Sequence, residues 1–435
     1  MVRVVVNGEE KLFSAQDFEN FGTLLKVLLS EGQVLKSLKI NGKEIPVAYV
    51  EELKSARLDE ELLIEVETQD AVSFLEDTLL DVLGYIQHVK ELLPQVASNI
   101  RKGREEGWKA IEDLSEGLSS IENLRSSTVQ ITKLNETELL LSTERADVSN
   151  IRREMEEARD KNDASEASNI VENKIPIVLD YYIEYFSKVL KALLKARLLD
   201  ALSYIQHVKE LLPQVASNIR KGSEAGWKEI KDLSEHLSVF ENLRSSTVQI
   251  TKLNETELAL SLERTEVSNI LREMLEALGK KDAFEISDIV ENRMPVVLDF
   301  YIEYFSKVLK ALLKARLLDA LSYIQHVKEL LPQVASSIIT GSEAGWKAIK
   351  DLSEGLAAIE NLRGSTVQIT KLNETELALS TERTEVSNIL RELLEALDKR
   401  DAFEISDIVE NKIPIVLDYY IEYFSKVLEA IGKVN

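Results

Sequence analysis

The sequence predicts a mostly α-helical protein in which three tandem helical-bundle repeats are joined by continuous long helices and preceded by a small α+β domain. Three observations carry this reading. Trp108, Trp227 and Trp346 recur every 119 residues, as do Pro94, Pro213 and Pro332, and Pro176, Pro295 and Pro414, which is the signature of a repeat array. Apolar residues keep helical spacing across the boundaries between repeats. The first 70 residues share none of this pattern and carry β-branched runs and Asn-Gly pairs instead. The expected segments are 1–70, 71–196, 197–315 and 316–435.

Composition narrows the function classes. The chain has 435 residues, of which 44% are hydrophobic, enough for several packed cores. It carries 53 basic against 76 acidic residues, a net charge of −23 that opposes binding to phosphate backbones and makes nucleic acid an unsuitable partner. Without cysteine, disulfides, thiolate metal sites and cysteine nucleophiles are all excluded. The opening MVRVVVNGEE lacks the order of a signal peptide, and no apolar run approaches the ~20 residues of a membrane span. The expectation is a soluble protein of cytoplasmic type with no membrane partner.

In the first segment, Val2–Val6 predicts a strand, Asn7-Gly8 a hairpin turn and Lys11–Phe13 a second strand. A helix is expected from Ala15 to Leu29. Further strands are expected at Val34–Ile40, before Asn41-Gly42, near Ile45, and at Leu62–Val66. This order resembles the ubiquitin-like β-grasp fold. Ubiquitin-like modifiers and sulfur carriers end in a free Gly-Gly tail whose carboxylate is activated. Here the chain runs on as VETQDAVSFLEDTLL, so the resemblance implies a capping or adaptor domain and not a conjugated one.

Within each repeat a Trp-containing helix follows a glycine, Gly103 in the first. A second helix is expected to start at Asn135, with Glu138 completing a capping box, and a third at Asp163 with Glu166. Asn135-Glu136-Thr137 also fits a glycosylation sequon, but in a chain read as lacking a secretion signal the cap is the better reading. The last helix opens near Pro176, a good first-turn residue, and its apolar positions continue from Val178 to Leu212. Residues 176–213 and 295–332 are therefore each predicted to be one helix. The stretch SKVLKALLKARLLDALSYIQ, at 187–206 and again at 306–325, lies inside that helix and is the join.

The two outer ends of the array differ from the joins. Val82 and Gly84 become Ala201 and Ser203, then Ala320 and Ser322; Ile431 and Gly432 correspond to Leu193 and Leu194, then Leu312 and Leu313. Glycine costs about 1 kcal/mol against alanine inside a helix, so each change favours continuing it, while Gly432 suits a terminator. With copies that match without insertion or deletion, even through STVQITKLNETEL, residues 71–435 resemble an engineered tandem repeat in which the last helix of one copy is merged with the first of the next. Recent natural duplication is the alternative origin.

No catalytic, cofactor-binding or metal site is assigned from the sequence. His88, His207 and His326 recur in YIQHVKEL, one per repeat, and a di-iron bundle would need Glu-x-x-His where Tyr stands three residues before each. His236 is matched by Gly117 and Gly355. In DYYIEYF, Asp180 and Glu184 could in principle serve acid–base work, but tyrosines at helical spacing fit a core edge with hydroxyls in water. There is no phosphate loop or nucleophile elbow. The informative differences are Arg152, Glu156, Arg159, Ser165 and Ala167 in the first repeat. They become Leu271, Leu275, Leu278, Phe284 and Ile286 in the second, and Leu390, Leu394, Leu397, Phe403 and Ile405 in the third. Full burial of five such side chains is worth on the order of 10 kcal/mol. The expectation is an inter-repeat contact or self-association through Leu271, Leu275, Leu278, Leu390, Leu394 and Leu397. The function expected is non-catalytic: a rigid, elongated structural repeat, or alternatively an adaptor binding a partner helix or peptide. No cofactor or small-molecule substrate is implied.

Overall fold

Two-residue Asn-Gly turns set the N-terminal sheet: Asn7 and Asn41 both adopt positive φ and their glycines follow in the same region, which closes tight hairpins. In a computed structural model of the chain, residues 1–29, 32–46, 49–58 and 61–432 are described. They form two compact units, one of residues 1–133 with 148–186, the other of 134–147 with 187–435.

The first unit begins with strands β1 (Val2–Val6), β2 (Glu9–Phe13), β3 (Gln33–Ile40), β4 (Lys43–Ile45) and β5 (Leu63–Asp70) in the order β2-β1-β5-β3-β4. β1 and β5 are parallel and the other pairs antiparallel. Helix α1 (Phe21–Leu28) lays Phe21, Leu24, Leu25 and Leu28 on Val2, Val4, Leu38, Ile64 and Val66. The sheet and its covering helix are the β-grasp-like arrangement that the strand order implied. The helix expected over 15–29 is instead broken in two. Ser14 caps a short 3-10 turn at Ala15–Asp17, Phe18 is extended and packs edge-on to Phe13, and Asn20 restarts the chain as α1 through a capping box with Thr23. Two competing caps within six residues divide the apolar periodicity. A single turn, α2 (Val50–Leu53), precedes β5.

Asp70 ends β5 and caps α3 (Ala71–Arg101). Each repeat then follows one plan: a long helix, a Trp-bearing helix, a linker turn, a third helix, a short helix with a π turn, and the next long helix. In the first repeat these are α3, α4 (Glu105–Thr132), α5 (Ser142–Asp160), α6 (Ala164–Asn169), the π turn Ile170–Lys174 and α7 (Ile175–Arg220). The second continues with α8 (Glu224–Thr251), α9 (Ser261–Lys280), α10 (Ala283–Asp288) and α11 (Met294–Ile339). The third has α12 (Glu343–Thr370), α13 (Ser380–Lys399), α14 (Ala402–Asp407) and α15 (Ile413–Gly432).

The joins are unbroken. α7 and α11 each run 46 residues, and α11 is on the order of 70 Å long at about 1.5 Å per residue. Both pass through Pro213 and Pro332, where the sequence reading stopped. Proline removes one intrahelical hydrogen bond, but Ala216 and Ile219, like Ala335 and Ile338, are buried beyond it, and that packing holds the helix together. The glycine before each tryptophan is needed for close approach: a Cβ on Gly345 would come within 2.3 Å of the Ser337 carbonyl, and one on Gly107 within 2.6 Å of the Ile100 nitrogen.

The start expected at Asn135 is a turn and not a helix. Asn135 Oδ1 accepts from the Glu138 amide, and in the second repeat Glu257 completes the reciprocal bond to the Asn254 amide. Positive φ at Leu140, Ala259 and Ala378 then ends the turn, and the helix opens only at Ser142, Ser261 or Ser380. The start at Asp163 holds, since its carboxylate accepts from the Ser165 and Glu166 amides.

Candidate functional site

The tyrosines of DYYIEYF are core residues. Tyr182, Tyr185 and Phe186 are fully buried, as are Tyr301, Tyr304 and Phe305, and Tyr420, Tyr423 and Phe424. Their hydroxyls are not in water, contrary to the sequence reading. Tyr182, Tyr301 and Tyr420 donate to Glu122, Glu241 and Glu360 at 2.7, 2.5 and 2.6 Å, and Tyr304 and Tyr423 to the Leu253 and Leu372 carbonyls. A buried hydroxyl without such a partner would be costly, so the glutamate and the tyrosine are needed together.

Each of these glutamates is also gripped by arginine. Glu241 accepts from Arg264 at 2.7 and 3.0 Å and pairs with Arg244; Glu360 does the same with Arg383 and Arg363. Burial alone would raise the Glu241 carboxyl, but the bonds from Tyr301 and Arg264 and the charges of both arginines outweigh it and hold the group below its ordinary range. Glu360 is held down in the same way by Arg363, Tyr420 and Arg383 against its burial. Burial foremost, then the neighbouring carboxylates, pushes Tyr423 up to about 12. A carboxylate fixed in its ionised form by two cations is a poor proton acceptor, and a raised phenol a poor nucleophile, so the cluster acts as a clasp between helices. Asp180, named from the sequence as a possible acid–base group, is paired to Lys90 at 2.6 Å, a bridge repeated by Lys209–Asp299 and Lys328–Asp418.

The clasp glutamates went unnoticed in the sequence because the tyrosine that contacts each lies 60 residues away, beyond any local pattern. The available signal was Glu-x-x-Arg, recurring at Glu122/Arg125, Glu241/Arg244 and Glu360/Arg363.

A second cluster surrounds the join of α11 in the second unit. Leu140, from the first linker, belongs to the same buried core as Leu313 and Leu317. Arg316 Nη2 donates to the Glu138 carbonyl at 3.0 Å, and Thr137 Oγ1 lies 3.4 Å from Glu354 Oε2. Lys188 pairs with Asp319 at 3.8 Å. Burial, and then the Arg316 charge, lowers the Lys195 amine to about 8. Leu140 is replaced by Ala259 and Ala378 in the other linkers, where the residue is exposed. A leucine at φ 57° is unfavourable backbone, and its burial offsets that cost.

The switched positions divide into three groups. Ile286 and Ile405 are core. Leu271 and Leu278 edge the core of the second repeat, and Leu390 and Leu397 that of the third. Leu275 and Phe284 are 65% and 78% exposed, and Leu394 and Phe403 are 58% and 76% exposed. Among the described residues nothing covers these four. In the first repeat Arg152 reaches toward Glu122, Arg159 pairs with Asp160, and Ala167 is buried.

His88, His207 and His326 are exposed, and His236 meets the Tyr204 hydroxyl at 2.6 Å. Among the described residues no group of three or more His, Asp or Glu is arranged to hold a metal ion. No helix of the described residues is long and apolar enough to cross a membrane.

Comparison with known proteins adds one finding. Residues 77–185, 198–301 and 317–419 each match a family described as a domain of unknown function (DUF8042). No curated protein and no solved structure matches the chain. The three matches together take in well over half of the sequence and recur at close to the 119-residue period, and the first part of each join, 187–197 and 306–316, falls in the gaps between them. The chain therefore belongs to the DUF8042 family, as three copies in tandem.

Proposed function

We propose that this chain is a non-catalytic structural repeat protein in which shared helices weld three DUF8042 modules into a rigid scaffold. The observation that carries this reading is α11: its Leu309 belongs to the core of the second repeat, and its Leu313, Leu317 and Ile324 belong to that of the third, within one uninterrupted helix. Neither core can lose its side of that helix without straining the other. The arginine-held state of Glu241 and Glu360 favours a structural over an acid–base role. Trp227 and Trp346 give a direct test. In variants that keep only one of them, with the other tryptophans changed to Phe, both probes should report the same urea midpoint. Midpoints separated by more than about 0.5 M would overturn the scaffold reading, since coupled elements unfold together. The replacements at the joins support deliberate assembly from one family module. Synonymous drift between the copies of the gene would argue for natural duplication and leave the scaffold reading intact.

A second reading rests on a separate observation, the exposed Leu275/Phe284 and Leu394/Phe403. Apolar side chains repeated on the same face of two modules suit an adaptor surface or a contact between chains, through Leu271, Leu275 and Leu278 and through Leu390, Leu394 and Leu397. Changing these six to the residues of the first repeat (Leu271→Arg, Leu275→Glu, Leu278→Arg and their counterparts) should abolish any concentration-dependent association and leave the helical circular dichroism unchanged. Unaltered association would exclude this surface.

A further inference from the structure

Asparagine followed by glycine occurs twice in the sequence, at Asn7-Gly8 and Asn41-Gly42, and each pair forms the tip of a tight hairpin in the N-terminal sheet. Such a pair can rearrange. The glycine amide nitrogen gives up its proton to solvent and attacks the asparagine Cγ; an N–Cγ bond forms, the Cγ–Nδ2 bond breaks, and Nδ2 takes up a proton and leaves as ammonia. Water then opens the cyclic imide at one of its two carbonyls, giving aspartate or, with the chain rerouted through Cγ, isoaspartate. Glycine favours the first step because it puts no Cβ beside the attacking nitrogen. At both tips the asparagine and the glycine are exposed, and neither glycine amide donates to another described residue.

The fold treats the two asparagines differently. Asn7 is held at both ends of its side-chain amide by Thr68 of β5: Oδ1 accepts from the Thr68 amide at 2.8 Å, and Nδ2 donates to Thr68 Oγ1 at 2.9 Å. Thr68 Oγ1 in turn donates to Gln33 Oε1 at 3.3 Å, which fixes its own orientation. Asn41 is held at one end only. Its Oδ1 accepts from the Leu63 amide at 2.9 Å, at the other end of β5, and its Nδ2 has no partner among the described residues. To react, Cγ must swing away from β5 toward the glycine nitrogen, which breaks two hydrogen bonds at Asn7 and one at Asn41. The leaving group is bound at the first site and free at the second.

We infer that Asn41 is a modification site of the folded chain, converted to aspartate and isoaspartate through the imide with Gly42, and that Thr68 shields Asn7 from the same reaction. One net hydrogen bond separates the two sites, which sets Asn41 about fivefold faster than Asn7. Isoaspartate adds a methylene to the main chain of a two-residue turn, so it disturbs the pairing of Ile40 with Lys43 beside it. The strand this releases is β4, an edge strand of three residues. The shielded tip lies at the end of β5 that leads through Asp70 into α3, and that connection is spared.

Ageing the full chain in mildly alkaline buffer tests this, with peptide mapping by mass spectrometry to follow each site and isotopically labelled water to mark the opened imide. Modification at Asn41 should run about fivefold ahead of Asn7 in buffer, and the two rates should converge in urea, where Thr68 no longer holds Asn7. Equal rates in buffer, a faster Asn7, or a difference that persists in urea would overturn the proposal. Thr68→Val keeps the β-branched shape and the main-chain bond but removes Oγ1. It should bring Asn7 to the Asn41 rate and leave Asn41 unchanged. An Asn7 rate that Thr68→Val leaves as it was would also overturn the proposal. Should both sites accelerate together, the variant has unfolded, and the comparison of buffer with urea in the wild-type chain decides alone.

Discussion

Glu360 shows how much of a core can hang on one side chain. It accepts from Tyr420, Arg363 and Arg383 at once, and hydrogen bonds to a charged group are worth about 1.5–3 kcal/mol each. Glu360→Gln should therefore lower the unfolding free energy by about 2 kcal/mol at neutral pH, read from urea titration. Because the folded carboxyl titrates below its ordinary value of 4.5, its contribution is complete above that pH and is lost as pH falls through the folded value. The gap between wild type and Glu360→Gln should close on acidification. Lys195 behaves in the opposite sense. Its amine is lowered from 10.5 to about 8 by burial and Arg316, so the folded state carries a charge penalty that is full below pH 8 and fades as pH rises toward 10.5. Lys195→Met should be more stable than wild type at pH 7, and the difference should shrink over that window. A difference that stays constant from pH 7 to 10.5 would show that the amine is not perturbed. Neither role was legible in the sequence, where Lys195 and Glu360 are ordinary members of amphipathic helices; their partners arrive from other elements.

Helices were largely legible, and their ends less so. The joins were readable because every replacement between free end and join raised helix propensity, and α7 and α11 run through them. The failures have local causes. Pro213 and Pro332 read as stops, yet buried residues beyond them keep the helix intact. Asn135 read as a helix start because the cap chemistry is real; what the sequence hides is that Leu140 adopts positive φ and ends the turn. Ala15–Leu29 read as one helix because apolar spacing is blind to two rival caps. The α11 join should be sensitive to its backbone. Ala315→Pro, at an exposed site in mid-helix, should cost about 3 kcal/mol, and hydrogen exchange should show faster amides in both the second and third repeats. Loss of protection confined to one repeat would mean that the join does not transmit.

Across the molecule, the period, the helical class and the β-grasp-like start were all readable, because they rest on repetition and on patterns of two and 3.6. The seating of the first linker was not. It depends on a single change, Leu140 for alanine, and on a surface far along the chain. Leu140→Ala should cost about 2–3 kcal/mol, measured by urea unfolding, whereas Ala259→Gly should cost nothing or stabilise, since Ala259 is exposed at positive φ. Equal losses at both sites would deny the linker its special place.

The letter-for-letter identity of the two joins gives the chain an unusual freedom in its length. Removing the 119 residues between any two matching points of the stretch would leave no scar, because the first half of α7 would run into the second half of α11 as the same helix. Copies could be lost or gained in whole periods without a new junction having to fold. The shortened form would still lack something. With two repeats, the seat two steps from the first linker would be gone, and Leu140 would be left in solvent on an unfavourable backbone. Three is thus the smallest number of copies in which the first linker is at home.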